Sequence, residues 1–263
     1  MALSLTMFQV DSFTDRLFRG NPAAVLVLDE ALDEAVMQAI AAENNLSETA
    51  FAVRQDGGYR LRWFTPTHEA AFCGHATLAT AHVLATEYGA DGTLSFATQV
   101  GELTVSAGTD GYSMVLPAFA PEAIDPQPDW ADALFPAGVK AVFKNFENMF
   151  AELGSEAEVR AFEPDLAALS ETYDIDLCIT ARGDEADFVS RYFAPRAGIP
   201  EDPVTGSTHA TLVPYWAERL GKTAFRAVQC SKRGGALQAE LQGEKVRLTG
   251  RAVTFMRAEI AVG

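Results

Sequence analysis

Two stretches of this chain carry no Asp, Glu, Lys or Arg: residues 74–86 (GHATLATAHVLAT) and 206–217 (GSTHATLVPYWA). Each is long enough for about three turns of helix, and each is apolar or small nearly all the way round. A helix of that kind has to be buried on every side. Gly89 and Gly221 stand just beyond the two stretches and suit helix C-caps. Each stretch also follows a strand-like run with Phe-x-Pro, Phe64-Thr65-Pro66 in one case and Phe193-Ala194-Pro195 in the other. The stretches begin at Gly74 and Gly206, 132 residues apart in a chain of 263. That offset of half the chain points to an internal duplication. The expected architecture is α/β (α+β), with two similar domains that each wrap strands around one buried helix. Pro214 should kink the second helix.

The remaining segments fit this plan. Short strand-like runs occupy 3–10, 23–28, 59–64, 93–97, 103–106 and 112–116, with Gly, Asp and Asn between them. Residues 33–43 read as an amphipathic helix with Leu32, Val36, Ile40 and Ala41 on one face. Pro117, Pro121, Pro126 and Pro128 then crowd a short segment that reads as a linker. The domain expectation is therefore 1–117, a linker at 118–129, and 130–251. Strands are expected at 139–143, 176–181, 188–193, 224–229, 237–241 and 245–249, with a short helix at 165–172. A final strand, 252–262, is expected to return to the first domain.

Composition excludes several classes of function. With 48% apolar and 21% charged residues the chain has material for a sizeable core. Its 20 Lys and Arg against 36 Asp and Glu give a net charge of −16, which repels phosphate backbones and anionic lipid. No nucleic-acid or membrane partner is expected. No apolar run approaches the ~20 residues of a membrane helix. The start of the chain alternates and carries Asp11, unlike a signal peptide, so a cytoplasmic protein is expected. Cys73, Cys178 and Cys230 are odd in number with no CxxC pair, which fits a reducing compartment and no disulfide framework.

A buried helix start leaves backbone N–H groups in need of acceptors. Here each start is a tight turn with Gly, Cys73-Gly74 and Thr205-Gly206, where a ligand can approach the backbone closely. The positive end of a helix with N–H groups to spare suits a carboxylate. The plainer reading stays open: Thr205 or Ser207 caps one helix, and Gly74 only makes a turn. Proton-handling side chains gather beside these turns, namely Cys73, His75, Asp202, Ser207 and His209. His75 is either a neutral imidazole at a helix start or a satisfied core histidine. Asp202 is either an acid/base near a dipole or a turn-capping loop acid. Glu48 leads directly into the apolar run Thr49-Ala50-Phe51-Ala52-Val53. Partial burial would raise its pKa toward that of a general base, and a capping-box partner is the alternative. Cys73 is either a thiol activated by a helix end or a small buried hydrophobe. His82 and His209 lie in uncharged helices and read as structural. No GxGxxG follows a strand, no GxxxxGK occurs, and four histidines show no metal-type spacing. No cofactor and no metal are expected.

Taken in order, several motifs resemble the PhzF family of phenazine-biosynthesis-like isomerases. They are Val10-Asp11-Ser12-Phe13 with Gly20-Asn21-Pro22-Ala23-Ala24-Val25, then Asn45-Leu46-Ser47-Glu48-Thr49-Ala50-Phe51. Arg62-Trp63-Phe64-Thr65-Pro66 leads to Cys73-Gly74-His75-Ala76-Thr77, and Glu201-Asp202-Pro203-Val204-Thr205-Gly206-Ser207 closes the series. The resemblance implies the diaminopimelate-epimerase-like fold: two pseudo-two-fold-related domains, each a strand barrel around a central helix, with the active site in the cleft between them. It implies a cofactor-free isomerase, usually a homodimer, whose best-understood relatives act on trans-2,3-dihydro-3-hydroxyanthranilate. By motif, Glu48 corresponds to the general acid/base, with His75 and Asp202 as partners in proton handling. Ser207, Cys73 and the N–H groups near Gly74 and Gly206 correspond to substrate binding. In the related two-thiol epimerases a second cysteine faces the first, and here Asp202 stands at its place. An epimerase pairing Cys73 with Glu48 or Asp202 is the alternative, and a non-enzymatic binder of small carboxylates is a third.

Overall fold

Strand β1 (Leu3–Ser12) and strand β2 (Asn21–Leu28) run antiparallel from Met7↔Leu26 to Ser12↔Asn21. They open a computed structural model that describes residues 3–263. β2 reads as an unbroken apolar run because both of its faces are covered, and it has a strand on each side. Its second partner, parallel to it, is β3 (Glu48–Gln55), and parallel interior strands lose the alternation of half-exposed ones. Helix α1 (Glu34–Asn44) makes the crossover between them and buries Met37, Ile40 and Ala41. Asn45 ends it in the left-handed conformation (φ 49°), which asparagine tolerates better than most residues. That stop delivers the chain to Glu48, the first residue of β3.

β4 (Gly58–Phe64) pairs antiparallel with β3, and the two-residue β5 (Glu69–Ala70) folds back on β4. Helix α2 (Gly74–Tyr88) follows and crosses over to β6 (Thr93–Thr98), which lies parallel to β4. β7 (Gly101–Gly108) and β8 (Gly111–Pro117) complete an antiparallel run. α2 is the first charge-free stretch, and every residue from Gly74 to Leu84 is buried. Its threonines need no outside partner. The hydroxyls of Thr77 and Thr80 donate to the carbonyls of Cys73 and Ala76 one turn back, at 2.6 and 2.7 Å. The helix ends as its last turn reaches solvent, with Gly89 at φ 69°.

The same succession then repeats. β9 (Glu122–Ala123) pairs with β10 (Ala141–Lys144) after helix α3 (Asp129–Leu134). β10 is antiparallel to β11 (Met149–Glu152), and β11 is parallel to β12 (Leu177–Arg182) through helix α4 (Glu156–Ala161) and a π-helical turn at Ala168–Thr172. β12 is antiparallel to β13 (Phe188–Ala194), and the short β14 (Ile199–Asp202) folds back on β13. Helix α5 (His209–Leu220) crosses over to β15 (Ala224–Gln229), parallel to β13 and antiparallel to β16 (Gly235–Gln242). β10 to β16 thus reproduce the order and sense of β1 to β7, which is the duplication that the two charge-free stretches predict. β17 (Lys245–Gly250) leads to β18 (Ala252–Val262), which pairs antiparallel with β1 from Leu3↔Val262 to Ser12↔Ala252. Two compact units result, Met1–Val115 with Thr249–Gly263, and Leu116–Leu248.

Three local readings differ from expectation. The proline-rich stretch at 118–129 is tied into the second unit. β9 pairs with β10, and Ile124 packs against that unit's core of Trp130, Val142, Leu177 and Phe193. The 165–172 helix is a π-helical turn over most of its length. The second buried helix starts at His209, because residues 206–208 form a tighter turn with i→i+3 bonds from His209, Ala210 and Thr211. Pro214 lies inside α5 and withholds the N–H that the Ala210 carbonyl would accept. The Phe119 N–H donates to that carbonyl instead, at 2.9 Å. Among the described residues no helix is long and apolar enough to cross a membrane.

Candidate active site

The N-terminal end of α2 carries the first cluster. Cys73 is the N-cap in extended conformation, and its side chain makes no capping hydrogen bond. An ordinary surface helix would place Ser, Thr, Asp or Asn there. The Ser12 hydroxyl donates to the His75 carbonyl at 2.9 Å and anchors the first turn to β1. β3 supplies Glu48, whose side chain is 13% exposed.

His75 is the hub. Its Nδ1 stands 3.2 Å from Asn21 Nδ2 and 3.5 Å from Cys73 Sγ, and its Nε2 stands 3.2 Å from Glu48 Oε2. Nε2 and Oε2 are close but not aligned for a hydrogen bond to one another. Burial pushes the His75 pKa down to about 3, against a smaller opposite pull from the Pro22 carbonyl. The ring is therefore neutral, and the approach to Glu48 is carboxyl to imidazole rather than an ion pair. Asn21 and Cys73 thus face Nδ1 of the ring, and Glu48 faces Nε2. A carboxyl, a thiol and a neutral imidazole at a helix start can pass a proton and hold an anion.

The second unit builds its own turn at 202–208. Gln229, with no exposure, bridges it: its Oε1 accepts from Thr205 N–H at 2.8 Å, and its Nε2 donates to the Asp202 carbonyl at 2.8 Å. The Thr205 hydroxyl donates to Asp202 Oδ2. The Thr205 carbonyl accepts from Thr208 Oγ1 and His209 Nδ1, both at 2.9 Å. Ser231 donates to the Pro203 carbonyl at 2.7 Å. Asp202 is 8% exposed, Gly206 is buried and Ser207 half-buried.

Each turn hangs on the same device. Arg62, two residues before Phe64, makes a two-pronged contact with Glu69, each prong 2.6 Å. Arg191, two residues before Phe193, does the same with Glu201 at 2.7 and 3.2 Å. The guanidiniums lie over the rings of Phe64 and Phe193, 5.0 and 4.9 Å from the centroids. Each fork clamps a short strand, β5 or β14, to its neighbour and so aims the turn that follows.

The rest of the chain agrees with this layout from end to end. A family model for phenazine biosynthesis-like proteins (PhzC-PhzF) matches residues 10–258. The chain belongs to this family. An uncharacterized isomerase of Pseudomonas aeruginosa is 47% identical over 255 residues, spanning 97% of this chain and 98% of that one. A PhzF-family crystal structure from Enterococcus faecalis matches with a TM-score of 0.94 at 44% identity, over 98% of this chain and 99% of that one. A hydroxyproline epimerase from Agrobacterium vitis matches with a TM-score of 0.64 at 9% identity, over 98% and 92% of the two chains. The fold is thus that of the PhzF proteins and is shared with an amino-acid epimerase.

Within this PhzF-family chain, Glu48, Cys73, Gly74 and His75 come together in the first unit. Asp202, Gly206 and Ser207 lie in or beside the second unit's turn. The other family motifs acquire physical roles. Asp11 Oδ2 accepts from the Phe18 N–H at 2.9 Å, and Ser12 holds the first turn of α2. Gly20 has φ 65°, and a Cβ there would lie 2.0 Å from the Ser12 carbonyl oxygen, so that position requires glycine. Sequence reasoning assigned no role to Asn21, Gln229 or the two Arg–Glu forks. Asn21, Arg62 and Glu201 lie within the quoted motifs, and only the repeat of Arg-x-Phe-x-Pro hinted at the forks. His82 bonds Tyr112 Oη and Thr254 Oγ1 at 3.2 and 2.9 Å, as a core histidine does.

Proposed function

We propose that this protein is an isomerase that moves a carbon-bound proton on a small carboxylic or amino acid. Cyclic substrates resembling trans-2,3-dihydro-3-hydroxyanthranilate are the first class to test. The reading rests on one observation: Glu48, nearly buried, stands 3.2 Å from a histidine that burial keeps uncharged, beside a helix start whose N-cap side chain makes no capping hydrogen bond. Glu48 takes the proton from carbon and the same or a partner acid returns it. His75 handles the proton at Glu48 and orients that carboxyl. The N–H groups at Gly74 and the side chain of Cys73 bind the substrate and steady the charge that develops on it. Asp202, Gly206 and Ser207 join the proposal on family resemblance, Asp202 in proton handling and the other two in substrate binding. A cofactor-free reaction, a cytoplasmic setting and a homodimer belong to the same reading.

The test is solvent deuterium incorporation, followed by NMR, into a panel of small amino and hydroxy acids that includes dihydro-hydroxyanthranilate. Exchange at one carbon is expected, reduced by ~10²–10⁴-fold in Glu48→Gln. Full exchange in that variant would end the proposal. A second reading, an epimerase with Cys73 as one base, draws on the 3.5 Å approach of its Sγ to His75 Nδ1. Cys73→Ser separates the two: the epimerase loses turnover, and the Glu48-centred isomerase retains it.

A further inference from the structure

Glu48, Cys73 and His75 show no metal-type spacing along the chain, yet the fold converts them into a compact donor set. One carboxylate oxygen, one thiol sulfur and one ring nitrogen all lie within 4.8 Å of one another. β3 contributes the first and the opening of α2 the other two. Donors around a tetrahedral zinc ion, at about 2.0–2.3 Å from it, stand roughly 3.3–3.8 Å apart. Two approaches are already near that spacing, 3.5 Å from Sγ to Nδ1 and 3.2 Å from Oε2 to Nε2. An ion takes only one nitrogen of a ring, so the imidazole has to pivot about its Cβ–Cγ bond to serve both partners. Asn21 stays against the ring, with its Nδ2 3.2 Å from Nδ1.

The donor types select the ion. A thiolate and an imidazole suit zinc-class ions, whereas magnesium and calcium require shells of oxygen. Three protein ligands leave a fourth position for water or a carboxylate. We propose that Glu48, Cys73 and His75 form a site for a divalent zinc-class ion, and that its occupancy inhibits the enzyme by engaging the carboxylate that must move the proton. The inhibitory half rests on the function proposed for Glu48, and the binding half does not.

The probe is Co²⁺ alone, titrated into the reduced, chelator-stripped full-length protein and followed by absorption. One equivalent should bind with a near-ultraviolet thiolate-to-cobalt band and the intense visible bands of four-coordination, and Zn²⁺ should bleach both. Cys73→Ser should abolish the near-ultraviolet band, and Glu48→Gln and His75→Gln should each weaken binding by about tenfold or more. Thermal melts of each variant establish that it is folded. Absence of the thiolate band, or its persistence in Cys73→Ser, overturns the site. Deuterium exchange should fall when Zn²⁺ saturates the site and return with chelator, and undiminished exchange at saturation overturns the inhibition. A misassigned Glu48 shows itself separately, as full exchange in Glu48→Gln without metal.

Discussion

Three of the four histidines are held uncharged by burial. His75 is pushed down to about 3, and His82 and His209 to about 4, from an ordinary value of 6.5. Above pH 6.5 they are neutral in both folded and unfolded chains and contribute nothing to pH dependence. Below it the unfolded chain takes up protons that the folded chain refuses, so stability falls as pH falls. The loss runs from pH 6.5 down to about 4 for His82 and His209, and on to about 3 for His75. Each contributes at most about 1.4 kcal/mol per pH unit. Glu69 and Asp187, whose pKa values lie below the ordinary carboxylate range, add their own loss only at lower pH. The melting temperature is therefore expected to decline between pH 6.5 and 4.5, with a shallower slope in His82→Gln. A flat profile across that window would contradict the burial of neutral rings.

The Arg–Glu forks show how an element is aimed. A two-residue strand such as β5 has too few ladder bonds to hold its own direction, and the fork supplies the constraint. Arg191 also donates to the Val159 and Phe162 carbonyls, so it ties β13 and β14 to the end of α4. Its side chain is 10% exposed and that of Glu201 21%. Removing one partner leaves a largely buried charge without compensation. Arg191→Met should cost about 2–3 kcal/mol in urea unfolding, somewhat below the 3–5 of a fully buried pair. The double variant Arg191→Met with Glu201→Gln should recover part of that loss. Equal losses in both would mean that the fork's charges do not matter. Phe119 teaches the same lesson about α5. Its N–H stands in for the one Pro214 lacks, so a stretch whose prolines suggested a loose connector is part of the helix's hydrogen bonding.

At the scale of the whole molecule the chain closes on itself. β18 comes from the far end of the sequence and covers β1 along its length, with Met256, Ile260 and Val262 packed against Met7, Leu26 and Phe51. A chain ending at 250 would leave β1 an open edge over part of that core. Trp63 reports on the first unit, and Trp130 and Trp216 on the second. The truncated chain should lose the buried fluorescence of Trp63, read in a variant with Trp130 and Trp216 replaced by Phe, while the second unit keeps its protection from hydrogen exchange. Native Trp63 emission after truncation would show that β18 is dispensable.

What could be read from the residues alone was whatever local chemistry dictates. Charge-free stretches must be buried, Phe-x-Pro marks the end of a strand, and a repeated order of such signals means a repeated fold. Glu48, Cys73 and His75 were each visible as candidates, because an acid before an apolar strand and polar groups at a bare helix start are locally odd. Their mutual distances were not visible, since 24 residues of strand, turn and loop lie between Glu48 and Cys73 and only the packing of β3 against α2's surroundings sets the approach. The same holds for Asn21 against His75, for Gln229 across the 202–205 turn, and for the forks. Burial decided the charge of His75 and spatial closure decided the donor set, and both are properties of neighbours that the linear order of residues does not contain.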